Sequence, residues 1–114
     1  MVGAFCIYIN YTQNHTLMKT PSYSVYILQS EMDGSYYVGS SADPVDRLAK
    51  HNRPHKGYTA SKQPWKLVFV QWLENKTLAQ KMERHIKAMK SRKYLEDLIG
   101  SAANELKEKN WEIR

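Results

Sequence analysis

The sequence predicts an α+β domain, a small antiparallel three-stranded sheet flanked by helices in the order β-β-α-β-α-α. Three observations predict it. Two short runs rich in β-branched and aromatic residues, over 22–28 and 35–39, flank Asp33-Gly34, a strong hairpin signal. A third such run, Lys66–Trp72, contains Leu67, Val68, Phe69, Val70 and Trp72. Leu78, Met82, Ile86 and Met89 step by four, four and three, the stripe of an amphipathic helix.

Taken in order, Tyr23-Ser24-Val25-Tyr26-Ile27-Leu28 is the first strand, and Ser35-Tyr36-Tyr37-Val38-Gly39 returns beside it after the loop Ser30 to Gly34. Asp43-Pro44 starts a helix, with an N-cap carboxylate and a proline at the first helical position. That helix runs from Pro44 to about Asn52, and Pro54 stops it. Residues 53–64 form a basic loop ahead of the third strand. The second helix opens near Thr77, and Ser91–Lys93 interrupts it. Tyr94, Leu95, Leu98, Ile99, Ala102, Ala103 and Leu106 make a third stripe with a weak point at Gly100. Residues 1–20 read as an N-terminal appendage and 101–114 as a helical tail, leaving 21–100 as the domain. Within the appendage, Met18 is an alternative start, and Ala4–Ile9 is an alternative extra strand.

The 114 residues, 42% of them hydrophobic, suffice for one small core. The single cysteine, Cys6, excludes an intrachain disulfide framework and a multi-cysteine zinc site. No apolar run approaches the ~20 residues needed to cross a bilayer, and Val2–Ile9 lacks the flanks of a signal peptide. A reduced, cytoplasmic protein without a membrane partner is the expectation. Between Arg47 and Lys93 stand thirteen Lys or Arg against only Glu74 and Glu83, a net +11; the rest carries −5, giving the chain's +6. A basic middle between acidic ends is the footprint of a polyanion-binding face. A solvated, Lys-rich helix surface is the plain alternative.

Several residues can carry chemistry. Tyr26 and Tyr37 stand on the hairpin with ten residues between them, Arg47 and His51 share a helix face four apart, and Glu83 lies beside the second-helix stripe. Each has an ordinary explanation too: strand tyrosines pack, and Glu83 with Lys87 makes a common i,i+4 pair. His51 and His55 are also four apart, but Pro54 between them and the lack of a cysteine partner argue against zinc.

Together these residues form a pattern. Ser24-Val25-Tyr26, then Tyr37-Val38-Gly39, then Arg47, His51 and Glu83, resembles the GIY-YIG nuclease superfamily. The segments Tyr58–Val68 and Ile86–Leu95 resemble its short single-domain branch, related to the nuclease module of the excision-repair incision subunit. The resemblance covers about residues 22–99. Ser24 and Val25 stand where that pattern has glycine and isoleucine, and Leu95 stands where larger members carry an asparagine.

The resemblance implies a metal-dependent endonuclease that hydrolyses DNA phosphodiester bonds, with a role in DNA repair or processing. It implies Glu83 as ligand of one divalent cation, Mg²⁺ or Mn²⁺, the shell being completed by waters and phosphate oxygens. Arg47 then clamps the scissile phosphate in bidentate fashion. Tyr26 is the candidate general base, His51 takes or orients its proton, and Tyr37 places the water; Tyr26 and Tyr37 can exchange roles. Phenolate is only about one part in a thousand at pH 7, and bringing the phenol to ~7 needs about 4 kcal/mol, for which the +11 segment and a cation are the candidate sources. Gly39, Lys50, Arg53, Lys62, Lys66 and Lys87 are the candidate nucleic-acid contacts. Nothing in the sequence reads bases, so low sequence specificity is expected, with single-stranded or branched DNA as the substrate or a protein partner for targeting. Two other readings remain: a nucleic-acid-binding module of the same fold without catalysis, which Leu95 favours, and a protein-interaction domain using Trp65 and Trp72.

Overall fold

β-Branched and aromatic side chains favour a pleated, covered surface, and three such runs build the sheet. The computed structural model describes residues 21–107; the appendage and the last residues of the tail lie outside them. The strands are β1 (Tyr23–Ser30), β2 (Tyr36–Ser41) and β3 (Trp65–Leu73). The helices are α1 (Pro44–His51), α2 (Lys76–Met89) and α3 (Arg92–Ile99). The order β-β-α-β-α-α and the antiparallel sheet are as the sequence predicts.

β1 is the central strand, in the order β2-β1-β3, and Ser24 to Leu28 is buried without interruption. A strand covered on both faces reads as a continuous apolar run rather than an alternating one. One face packs Val25, Ile27, Val38 and Phe69 against Ile86 of α2 and Leu98 of α3. The other packs Tyr26, Leu28, Trp65 and Val70 with Leu106, and Tyr37 and Leu48 lean on that cluster. Trp65 is thus core, and Trp72 is half-buried beside it. The β1–β3 register shifts between Ile27 and Leu28: Ile27 pairs with Phe69 and Leu28 with Leu67. Val68 is the extra residue of this bulge.

Capping fixes the helices. The Asp43 carboxylate accepts from the Asp46 N–H at 3.0 Å, Asn75 from Leu78, and Ser91 from Tyr94. In α2 the buried residues are Ala79 and Ile86, whereas Met89 at the end of the expected stripe is 41% exposed.

The third stripe does not continue as a helix. α3 ends at Ile99 with Gly100 as its C-cap, and the Ser101 hydroxyl takes the Leu98 carbonyl at 2.7 Å. The chain then passes the open edge of β3. Asn104, 2% exposed, accepts there from the Val70 and Leu106 N–H groups and donates to the Val68 and Ile99 carbonyls. The Glu105 carboxylate accepts from the Trp72 N–H at 3.0 Å. These side chains cap an edge that would otherwise present unpaired backbone groups. They also carry Leu106, in a short 3-10 turn, to the face opposite Leu98. No helix among the described residues is long and apolar enough to cross a membrane.

Candidate active site

Tyr26 and Tyr37 project from neighbouring strands onto the α1 face, their ring centroids 6.4 Å apart. Tyr26 is opposite Gly39 in the β1–β2 ladder. A Cβ at Gly39 would fall 2.6 Å from the Tyr26 hydroxyl oxygen and 2.7 Å from its Cζ. The end of the Tyr26 ring therefore occupies the space a side chain at 39 would need. Gly39, a candidate nucleic-acid contact from the sequence, serves here as the seat of Tyr26.

α1 supplies the next two residues. The Ser24 hydroxyl donates to the Ser41 carbonyl at 2.7 Å, and the Ser41 hydroxyl accepts from the Asp43 N–H at 2.9 Å. These bonds fix the β2–α1 joint and hence the helix's direction. At its other end, His51 packs its ring 4.7 Å from that of Tyr37, and His51 Nε2 lies 3.4 Å from the Tyr26 hydroxyl. That separation is long for a hydrogen bond. The Gln63 amide donates to the His51 and Arg53 carbonyls at 2.7 Å, and Asn52 pairs with both backbone groups of Trp65, so the helix end is anchored to β3.

The electrostatics follow from burial. Desolvation, reinforced by Tyr37 and Glu83, pushes the Tyr26 phenol up to about 12, although the Arg47 guanidinium acts in the opposite sense. Desolvation acts on the hydroxyl itself and outweighs the pull of the Arg47 guanidinium, since exposed charge is screened by water. Burial, then Arg47 and His55, lowers His51 below its ordinary value. His51 is accordingly mostly neutral at pH 7.

Glu83 reaches the site from α2. Its Oε1 accepts from the Ser40 hydroxyl at 2.7 Å and its Oε2 from Lys87 Nζ at 2.6 Å. Tyr26, Tyr37, Arg47, His51 and Glu83 are thus gathered about the Gly39–Ser40 step. Sequence reasoning missed Ser40, although alternation along β2 turns it away from the Gly39 side and toward α2. Glu83 is one carboxylate in a basic surrounding, and among the described residues no group of three or more His, Cys, Asp and Glu side chains gathers to hold a metal. This donor set fits a Mg²⁺- or Mn²⁺-type ion held by one carboxylate with waters and phosphate oxygens. Both ring nitrogens of His55 are engaged, by the Arg53 carbonyl and the Thr59 hydroxyl.

The basic candidates divide. Lys50, Arg53, Lys66 and Lys87 are exposed, Lys50 in a surface pair with Asp46 at 3.3 Å. Lys62 is instead paired with Asp33 at 2.5 Å and holds that carboxyl well below the usual carboxylate range. Together with the bond from the Ser30 hydroxyl to the Lys62 carbonyl, it ties the hairpin loop to the basic loop. Among the described residues, no asparagine takes the place of the one expected where Leu95 stands. Leu95 packs against the core, while Asn52, Asn75 and Asn104 are committed to backbone groups.

Residues 22–95 match the family model described as the GIY-YIG catalytic domain. The chain belongs to the GIY-YIG family. Over 75 residues it is 39% identical to a UPF0213 protein of Staphylococcus aureus, covering 65% of this chain and 90% of that one. Over 71 residues it is 35% identical to a UPF0213 protein of Desulfotalea psychrophila, covering 60% and 64%. A 54-residue stretch is 43% identical to the structure-specific endonuclease subunit SLX1 of Meyerozyma guilliermondii, covering 42% of this chain but 18% of that protein. The chain therefore spans less than two thirds of the length of two of these relatives.

Proposed function

We propose that this GIY-YIG domain is a divalent-metal-dependent endonuclease that hydrolyses DNA phosphodiester bonds with low sequence specificity, in DNA repair or processing. The observation that carries the reading is the setting of one hydroxyl. Tyr26 lies 3.4 Å from His51 Nε2, and Arg47 and Glu83 both act on it electrostatically. Packing alone does not call for a guanidinium, an imidazole and a carboxylate around one buried phenol.

Arg47, exposed on α1, grips the scissile phosphate through its planar fork. A phenol held at about 12 is ionised to about one part in 10⁵ at pH 7, so no free phenolate accumulates. The proton instead moves in one relay: the attacking water yields its proton to the Tyr26 oxygen as Tyr26 yields its own to His51 Nε2. The water oxygen bonds to phosphorus, the P–O3′ bond breaks, and the departing oxygen takes a proton from solvent. Tyr37, against the His51 ring, places the water. Glu83 is the carboxylate that holds the divalent cation, which when bound supplies positive charge for the phosphate and the departing oxygen. Exposed Lys50, Arg53 and Lys66 bind the DNA backbone without reading bases. The name of SLX1, a structure-specific endonuclease subunit, supports branched DNA as a substrate and a protein partner for targeting.

A second reading, DNA binding without cleavage, is favoured by Leu95, half-buried against the core where an active-site asparagine is expected. Incubating the protein with single-stranded, duplex, flap and branched DNA in Mg²⁺ or Mn²⁺ separates the two. Nicking that EDTA abolishes is expected, whereas retained affinity without product in either metal selects the second reading.

A further inference from the structure

The two oxygens of Glu83 are held by very different partners. Ser40 is fixed in β2, paired with Val25 in the ladder and adjacent to Gly39, and its half-buried hydroxyl donates to Oε1 at 2.7 Å. Lys87 stands one helical turn along α2, its side chain 52% exposed against 19% for Glu83, and holds Oε2 at 2.6 Å. A strand hydroxyl cannot withdraw without moving the sheet. An exposed ammonium on a four-carbon stem can, because i,i+4 surface pairs are weak.

Resting on the reading of Glu83 as the cation ligand, we propose that Ser40 is a positioning residue for that carboxylate and that Lys87 is a resident counter-ion which the divalent cation displaces. Ser40 fixes the rotation of the carboxylate through Oε1, so that Oε2 faces solvent. Lys87 neutralises Oε2 until a cation arrives, then swings away. In this arrangement the hydroxyl supports cation binding and the ammonium opposes it. The two neighbours of one carboxylate therefore have effects of opposite sign on the same affinity, which a purely structural role for either would not produce.

The test is a titration of the full chain with Mn²⁺ alone, without DNA and at low ionic strength, followed by water-proton relaxation, with folding checked by thermal melting in EDTA. Ser40→Ala is expected to weaken Mn²⁺ binding by about ten- to hundredfold, the usual effect of removing a group that orients a ligand, and Ser40→Thr to restore most of it. Lys87→Met is expected to tighten binding by about two- to tenfold, a gain that shrinks as salt rises. Unchanged affinity in folded Ser40→Ala, or unchanged or weaker affinity in Lys87→Met, overturns the proposal. If Ser40→Ala does not fold, weak binding by a folded Ser40→Thr overturns the positioning role. Glu83→Gln keeps the two levels apart. Loss of binding there upholds Glu83 as the ligand whatever Ser40 and Lys87 do, and retained binding refutes that assignment itself.

Discussion

Gly39→Ala adds one methyl group where the structure has no room for it. The new Cβ would lie 2.6 Å from the Tyr26 hydroxyl and 2.7 Å from Cζ, so the ring has to retreat by about 0.8 Å to regain an ordinary 3.4 Å contact. Tyr26 is fully buried and packed with Leu28, Trp65 and Val70, so the retreat pushes into filled space. Overpacking of this kind costs about 1–3 kcal/mol, or a fall in Tm of roughly 5–20 °C for a domain of this size. The sign is informative. Residue 39 is not in the left-handed region, and a generic Gly-to-Ala change in a strand stabilises by about 0.5–1 kcal/mol. The assay is urea and thermal unfolding of the wild type, Gly39→Ala, Tyr26→Phe and the double variant, with DNA cleavage measured well below each Tm. Tyr26→Phe removes the closest contact, so the double variant should lose less stability than the two single losses together. Cleavage by Gly39→Ala should fall even where the protein is folded, because the Tyr26–His51 geometry shifts. A Gly39→Ala protein as stable and as active as the wild type would refute the argument.

Other outcomes follow from the same contacts. Asn104→Ala leaves the Val70 and Leu106 N–H groups and the Val68 and Ile99 carbonyls without this partner and should cost on the order of 3–5 kcal/mol in urea unfolding. The raised Tyr26 phenol keeps its proton in the folded state after the unfolded chain has lost it. Stability should hold up to pH 10 and then decline toward about pH 12 by on the order of 2 kcal/mol, and Tyr26→Phe should remove that component. For His51 the lowered folded value means that the unfolded chain binds the proton first. Its contribution is present above pH 6.5 and lost as the pH falls below it, and cleavage should decline on the same acidic side. Arg47→Lys should reduce turnover by about 10²-fold or more while most DNA affinity remains; equal loss of both would make Arg47 a docking residue only.

The strands and the order of elements were legible because their signals are local. Asp33-Gly34 sits between two β-rich runs, and Asp43-Pro44 opens α1 as capping chemistry requires. Observed ends differ by a residue where a neighbour decides: β3 extends to Trp65, which Asn52 grips from both sides, and α2 starts at Lys76 because Asn75 caps it. The β1–β3 bulge and the stop of α3 before Gly100 depend on cross-strand register and on Asn104 finding the sheet edge, contacts distant in sequence.

The site shows the same division. Helical spacing alone placed Arg47 and His51 on one face. The pairing of Lys62 with Asp33, 29 residues away, had no local signal. Nor did the link from Ser40 to Glu83, 43 residues apart, because it requires knowing which face of the sheet α2 covers. The raised phenol of Tyr26 has no signal in the sequence for a related reason. Charge counts are visible in a sequence, whereas the depth at which a hydroxyl is buried is not.

We propose that these side chains form a metal-dependent nuclease centre in which Glu83 holds the cation. Cleavage of single-stranded and branched DNA by the wild type and by Glu83→Gln, in Mg²⁺ or Mn²⁺ and in EDTA, tests it most directly, with DNA affinity measured alongside. Cleavage by the wild type that EDTA abolishes is expected, with none by a folded Glu83→Gln that still binds DNA. Metal-dependent cleavage by Glu83→Gln at the wild-type rate would contradict it.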